Sequence, residues 1–495
     1  MKATYRFLFP YLIALAAPAA MAQNTFFVDD DALAGGDGSL STPFDGIQLA
    51  IDSASSGDTI LVQRGRYGDV NFSGKDLTLR SLEGAALTQT GTVTFNSGEG
   101  RSARFEGFEV TNTSQIAVLI DASSPTFMGN TVENQFGCGG GGAIRIVNGA
   151  DPAILNNRLV NNFSIPGTGR GGAIFVTDSS AFIEGNLVQR NGVDADLGVG
   201  DGGGLYATKS TLLIMNNLFQ GNWGFDSAGN RGGAIYASFS TLTLRGNTFT
   251  GNQAPDGNLP PPLRSPGSGG ALYLERCTTT SLNDSYSNNR ASHGSEIYLS
   301  FGFLDISYCN LLNGLSTIEG NGTLTHGEGL QNNDPLLDAT FHLTAGSPLI
   351  DAGDPASARS GVDRDQDPRL LDGNADHVVR IDIGWDEFNP SNLVVNGDGS
   401  LGSRFGLITT GPARQNYILA ASLGTADIPI NAYGSLLLAL PGLMVVGTGS
   451  VPGNDAINVP LSSNLVGQIA GFQALVRAPG TGIGSFTRRV RVALH

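Results

Sequence analysis

The chain has 495 residues, of which 70 are Gly and only 15% are charged, and its formal net charge is −16. Lysine nearly vanishes: beyond the N-terminal segment only Lys75 and Lys209 remain. A surface so poor in cations repels nucleic acid and anionic membranes, which need basic clusters to displace counterions, and it disfavours an anionic polysaccharide unless a cation bridges the two.

The start, MKATYRFLFPYLIALAAPAAMA, places Lys2 and Arg6 before an apolar stretch and ends on Ala20-Met21-Ala22. It reads as a secretory signal over residues 1–22, so the mature chain is expected to be secreted, at an extracellular or outer-surface location. Residues 23–58 are expected to form an entry and capping segment, with a short helix around Asp45–Ser53.

Residues 59–388 are dominated by a repeated phrase. It reads GGAIRIV from Gly141, GGAIFVT from Gly171, GGGLYAT from Gly202, GGAIYAS from Gly232, GGALYLE from Gly269 and a degenerate GSEIYLS from Gly294. Counting 13 residues on from the position before the first aliphatic lands on Asn156, Asn186, Asn217, Asn247 and Asp284. Counting 18 lands on Asn161, Asn191, Asn222, Asn252 and Asn289. A fixed side chain at a fixed offset, with the length variation elsewhere, marks stacked coils. Within a unit the apolar period is two: Leu205 and Ala207 point one way, Tyr206 and Thr208 the other. Three short strands joined by sharp turns make one coil of a parallel β-helix, and coils stack at about 4.8 Å, the ordinary interstrand spacing. Aligned asparagines then form internal amide ladders, as in cross-β assemblies, and are structural.

The paired tetrapeptides GGAI and FxxN (Phe127–Asn130, Phe219–Asn222, Phe249–Asn252) resemble the repeats of polymorphic outer-membrane proteins, a β-helix family of bacterial surface adhesins. The segment from Phe26 to Tyr67 is similar to the entry of secreted pectin-lyase-like β-helices, and His342–Phe388 resembles the closing module of secreted proteins of the choice-of-anchor kind. These resemblances imply a right-handed solenoid and a role at the cell surface. The stretch after Phe388 is too short for the outer-membrane barrel that closes the adhesin family, and none is expected. Residues 389–495 lose the glycine pairs and show short alternating strands between turn clusters, which predicts a small β-sandwich. The expected fold is therefore all-β: a right-handed parallel β-helix followed by a C-terminal sandwich, with no transmembrane segment after removal of the signal.

Cys138, Cys277 and Cys309 fall at different offsets in their coils, so no stacked disulfide is evident and buried, inert thiols are expected. The outward column Arg145, Phe175, Tyr206, Tyr236, Tyr273 and Tyr298 offers rings at coil spacing, to sugars or to a partner's side chains; packing of the rings on each other is the plainer reading of the same column. The variable insertions all follow the second asparagine and precede the next Gly pair, which predicts one ridge beside this column carrying Trp223 and Phe225. A lyase needs a metal cluster and a base, and a hydrolase needs converging carboxylates; Lys209 and Asp178 on neighbouring coils are the nearest approach to such a set. The run Asp363-Arg-Asp365-Gln-Asp367, followed by Asp372 and Asp376, is a candidate Ca²⁺ site, although Pro368 and Asn374 stand where an EF-hand needs Gly and Glu; turn-capping aspartates paired with Arg364, Arg369 and Arg380 are the plainer reading of the segment. The resulting expectation is a non-enzymatic binding or adhesion protein for carbohydrate or a cell-surface protein. The alternatives are a polysaccharide lyase or hydrolase, and a spacer.

Overall fold

The computed structural model describes residues 23–494 apart from 112–115, 138–139, 165–168, 195–199, 225–228, 258–264, 358–361, 366, 375–377, 397–403, 411–415, 424, 431–433, 439–442, 452, 459–467, 478–483 and 488–489. Residues 1–22, Cys138, Phe225 and Asp376 thus lie outside the described residues.

The first coils run through three strands and the middle ones through four. In one, Leu205–Thr208 is followed by Thr211–Met215, then Leu218–Gln220, then the two-residue strand Trp223–Gly224. Stacked on their equivalents, these build four parallel sheets, here I to IV, of 10, 12, 10 and 6 strands among the described residues. Pairing is in register, Leu205 on Ile235 and Tyr206 on Tyr236, because the alternation of apolar and polar residues fixes which side faces inward. Inward positions are fully buried and form one continuous core, from Val28 to Leu311. At its start the helix Ile47–Ser53 buries Ile47, Ala50 and Ile51 against that core, where the capping helix was expected.

The Gly pairs turn the chain into sheet I. Gly232 has φ +66°, and Gly233 lies so close to the backbone of Gly270 in the next coil and of Gln253 in its own that a β-carbon would collide with both. Only glycine meets both demands.

Two amide ladders run inside the corners. The Asn186 amide N–H and Nδ2 both donate to Asn217 Oδ1 (2.8 and 3.0 Å), and Asn217 repeats this on Asn247 (3.0 and 3.0 Å). Asn191, Asn222, Asn252 and Asn289 form the second ladder in the same way. Two expected members are corrected. Asn156 and Asn161 are the corner residues themselves, at φ 55° and 54°, and the ladder members in that coil are Asn157 and Asn162. The cause is one extra residue in the preceding turn: Ile144 pairs with Ile174, thirty residues on, but Ala153 pairs with Phe182, twenty-nine on. Asn148 and Gly149, both at positive φ, occupy that turn. The left-handed backbone therefore belongs to the residue before each ladder asparagine, at Gly185, Asn216 and Gly246 for example.

After the last coil, residues 334–391 fold back along the outside of the solenoid. Arg364 Nη1 donates to the carbonyls of Asn157 (3.1 Å) and Gly185 (2.8 Å), Arg369 Nη2 to Asn216 Oδ1 (2.6 Å), and the Trp385 amide to Thr248 Oγ1 (3.2 Å). The contacts step from coil to coil along one edge. The described strands between residues 392 and 493 pair antiparallel, with Arg404–Thr410, Asn416–Ser422 and Ile469–Arg477 at the centre and Leu407, Leu419, Phe472, Ala474 and Val476 in a separate core. This is the small sandwich. Among the described residues no helix is long and apolar enough to cross a membrane.

Candidate functional site

The outward column on sheet I runs Arg145, Phe175, Tyr206, Tyr236, Tyr273, Tyr298 and Glu319, one residue per coil in register. The rings stack nearly parallel, with centroids 5.2, 5.3, 5.4 and 5.2 Å apart from Phe175 to Tyr298. Their direction is as the alternation predicts, but their exposure is not. Phe175, Tyr206 and Tyr236 are 8%, 6% and 4% exposed, while Tyr273 and Tyr298 are half-buried. Guanidinium groups lie over the first rings: Arg145 at 5.4 Å from Phe175, Arg170 at 5.2 Å from Tyr206, and Arg231 at 4.6 Å from Tyr236 and 5.3 Å from Tyr273. Rings in such a column also spend their faces on each other. Tyr298 ends the stack: its far neighbour in the column is Glu319 rather than a ring.

The insertions supply Arg170 and Arg231, whereas Arg145 comes from the strand itself. Where the loops return to the Gly pairs, Arg170, Asp201, Arg231, Ser268 and His293 bridge in sequence from coil to coil, so the described flanks of the insertions do form one ridge beside the rings. Asp201 is buried, and Arg231 grips it through Nε (2.7 Å) and Nη2 (2.9 Å). Burial pushes the Asp201 carboxyl up, and Arg231 and Arg170 oppose the shift. Burial alone would lower Arg231; Asp201 holds it above its ordinary value. Beyond this pair Arg231 Nη1 reaches Glu275 Oε2 at 3.7 Å, and the Tyr236 hydroxyl donates to that same oxygen at 2.7 Å. Next to Tyr298, His293 Nδ1 lies 3.2 Å from Glu319 Oε2, both half-exposed.

A second aromatic column stands across the ridge on sheet IV. Phe136 stacks on Phe163 (5.5 Å), and Trp223 meets Phe163 edge-on (5.8 Å) across Gly192, whose missing side chain leaves room for both. Trp223 is half-buried in this column. Reading the residue after each second-ladder position (Phe163, Gly192, Trp223) would have found it in the sequence.

Lys209 and Asp178 are brought together, 4.0 Å apart, at an exposed corner between sheets I and II. Both adopt positive φ (47° and 48°) and point into solvent, so each serves as the other's screened partner rather than joining the ring face. The acidic run is also rearranged. Asp363 Oδ1 accepts the amides of Asp365 and Asp367 (2.9 Å each) and Oδ2 accepts that of Glu387 (3.0 Å), while Asp367 Oδ1 accepts Asn389 Nδ2 (2.7 Å). These are turn caps, and the three carboxylates do not converge. Asp365 instead turns toward His342 and Asp386. A cavity of about 480 Å³ separates the folded-back segment from sheet II, lined by Asn156, Glu184, Met215, Asp363 and Arg369 among others. Burial raises the Glu184 carboxyl there, against the pull of Arg369.

The family described as "Right handed beta helix region" matches residues 53–223 and 97–333, together more than half of the chain. The chain belongs to the right-handed β-helix family. No curated protein matches it. Among solved structures a crystal structure of pectate lyase Pel9A is similar, at 15% identity and a TM-score of 0.30, over 74% of this β-helix chain and 97% of that one. Cys277 and Cys309 are buried and unpaired, as expected for inert thiols, and burial pushes the Cys277 thiol up to about 11.

Proposed function

We propose that this β-helix is a non-enzymatic extracellular binding protein that captures a neutral glycan at the C-terminal end of the aromatic column. One observation carries the reading. Tyr273 and Tyr298 are the half-exposed rungs of an otherwise covered stack, and they are surrounded by Arg231, Glu275, His293 and Glu319. An aromatic face with fixed donors and acceptors beside it is what recognition of a sugar needs: apolar contact for the ring and oriented partners for its hydroxyls. Glu275 is already engaged by the Tyr236 hydroxyl and faces Arg231, which suits a positioned acceptor better than a proton shuttle. The secreted location follows from the reading of the N-terminal segment and belongs to the same proposal.

The test is a glycan array probed with the mature protein, with reducing ends and unsaturated products assayed on every glycan it retains. Capture should be lost in Tyr298→Ala, be weakened in Glu319→Gln, and leave the glycan intact. Normal capture by Tyr298→Ala would make the column purely structural. Turnover that disappears in Lys209→Ala or Glu275→Gln would replace the binding reading by a lyase or hydrolase.

A further inference from the structure

We propose that His342, Asp365 and Asp386 form a binding site for one divalent transition-metal ion such as Zn²⁺, which fastens the folded-back segment 334–391 to itself. The three side chains come from separate turns, yet each offers one ligand atom and these atoms all lie within 4.8 Å of one another. An imidazole with two carboxylates is a donor set for Zn²⁺, leaving a fourth position for water. It differs from the all-oxygen shell that Ca²⁺ takes.

The hydrogen bonds around His342 give the set its direction. The Thr340 hydroxyl spends its proton on Asp338 Oδ1 (2.8 Å), so its oxygen, 2.9 Å from His342 Nδ1, accepts the ring N–H there. A neutral ring fixed in this tautomer turns the lone pair of Nε2 toward the two carboxylates. Nε2 is shut off from solvent and makes no hydrogen bond of acceptable geometry, although Asp365 Oδ2 is only 2.7 Å away. A lone pair facing a carboxylate is repulsive unless a ring proton or a metal cation sits between them. Orientation of a ligating histidine through its other nitrogen is a common support for a metal. Asp386 is held too, since one of its oxygens accepts the Leu343 amide at 2.7 Å.

The wider charge balance has the same sense. Asp351, Asp363, Asp367, Asp382, Asp386 and Glu387 are all buried in this segment, with Arg369 as the buried guanidinium beside them. The competing account is a protonated His342 sitting between carboxylates with no metal.

Calorimetric titration of the chelator-treated full chain with Zn²⁺ separates the two, with melting curves recorded in Zn²⁺, in Ca²⁺ and in chelator. One equivalent of Zn²⁺ should bind and raise the melting temperature, by mass action on the folded state, whereas Ca²⁺ should not. His342→Gln and Asp365→Asn should each abolish both signals. If one of them also lowers the metal-free melting temperature, the Zn²⁺-dependent increment is still read against its own chelator curve. Absence of binding, an increment that survives both substitutions, or a Ca²⁺ response in place of the Zn²⁺ one would overturn the assignment.

Discussion

Asp284 occupies an asparagine's place in the first amide ladder, and its substitution by asparagine tests the ladder most directly. The carboxylate is fully buried; Oδ1 accepts the Asn247 amide (2.6 Å) and Nδ2 (2.8 Å), and Oδ2 accepts the Ser281 hydroxyl (2.7 Å). Desolvation outweighs these bonds and pushes the group from 3.8 to about 7. A folded-state value above the unfolded one means that the folded chain holds a proton which the unfolded chain releases. The associated stability is complete below about pH 4 and is lost as pH rises through 7. At 1.36 kcal/mol per unit, the full loss is on the order of 4 kcal/mol. Asp284→Asn restores an amide that accepts as its neighbours do and does not titrate. Melting temperatures of wild type and variant should therefore converge near pH 4 and diverge toward pH 8, with the variant higher. Glu296, which burial pushes up to about 8, titrates in both chains and cancels in the difference. A difference that stays constant between pH 4 and 8 would refute the reasoning.

Asn217→Ala removes the acceptor of the Asn186 amide and the donor to Ile183 O, leaving two buried groups unpaired; the loss expected is about 2–5 kcal/mol, measured by denaturant titration. Gly233→Ala should prevent close stacking on the coil that begins at Gly270, seen as loss of the cooperative melt, whereas Gly68→Ala, at an open position, should be tolerated. Arg369→Met strips the partner from buried Glu387 (3.2 Å) and should cost about 3–5 kcal/mol at neutral pH, with part of the loss recovered in acid as the carboxyl takes up a proton. Cys309, buried at a ladder position with its thiol pushed well up by desolvation, should resist alkylation in the native state and react on unfolding.

The solenoid was legible because its constraints are local and repeated. The Gly pair, the inward aliphatics and the asparagine offset each recur wherever the same backbone geometry recurs. Where one turn gained Gly149, a constant offset missed by one residue and named Asn156 and Asn161 in place of Asn157 and Asn162. The outward direction of Tyr206 and Tyr236 followed from strand alternation, but their burial did not. It depends on Arg170 and Arg231, which reach the rings from the returning ends of loops of unequal length. His342, Asp365 and Asp386 share no spacing and no period. They meet only because Asp363 caps the turn that carries Asp365 and the Leu343 amide holds Asp386.

The amide ladders have a sense of direction, which bears on how such a chain can lengthen. In every amide step the earlier coil donates and the later one accepts; in the first ladder Asp284 receives the last side-chain amide and passes on only its backbone N–H, to Cys309 Sγ (3.3 Å), and at the end of the second Glu296 Oε2 accepts from Asn289 Nδ2. Duplicating a middle unit, such as residues 202–231, inserts a rung that both donates and accepts, and the column stays continuous. Duplicating the unit that carries Asp284 would set two carboxyl groups one coil apart in a dry corner, where the earlier has no side-chain amide to pass on. The two acids thus end the side-chain amide relay: a coil added upstream of residue 271 extends it and one added beyond does not, so the two ends of the solenoid cannot substitute for one another.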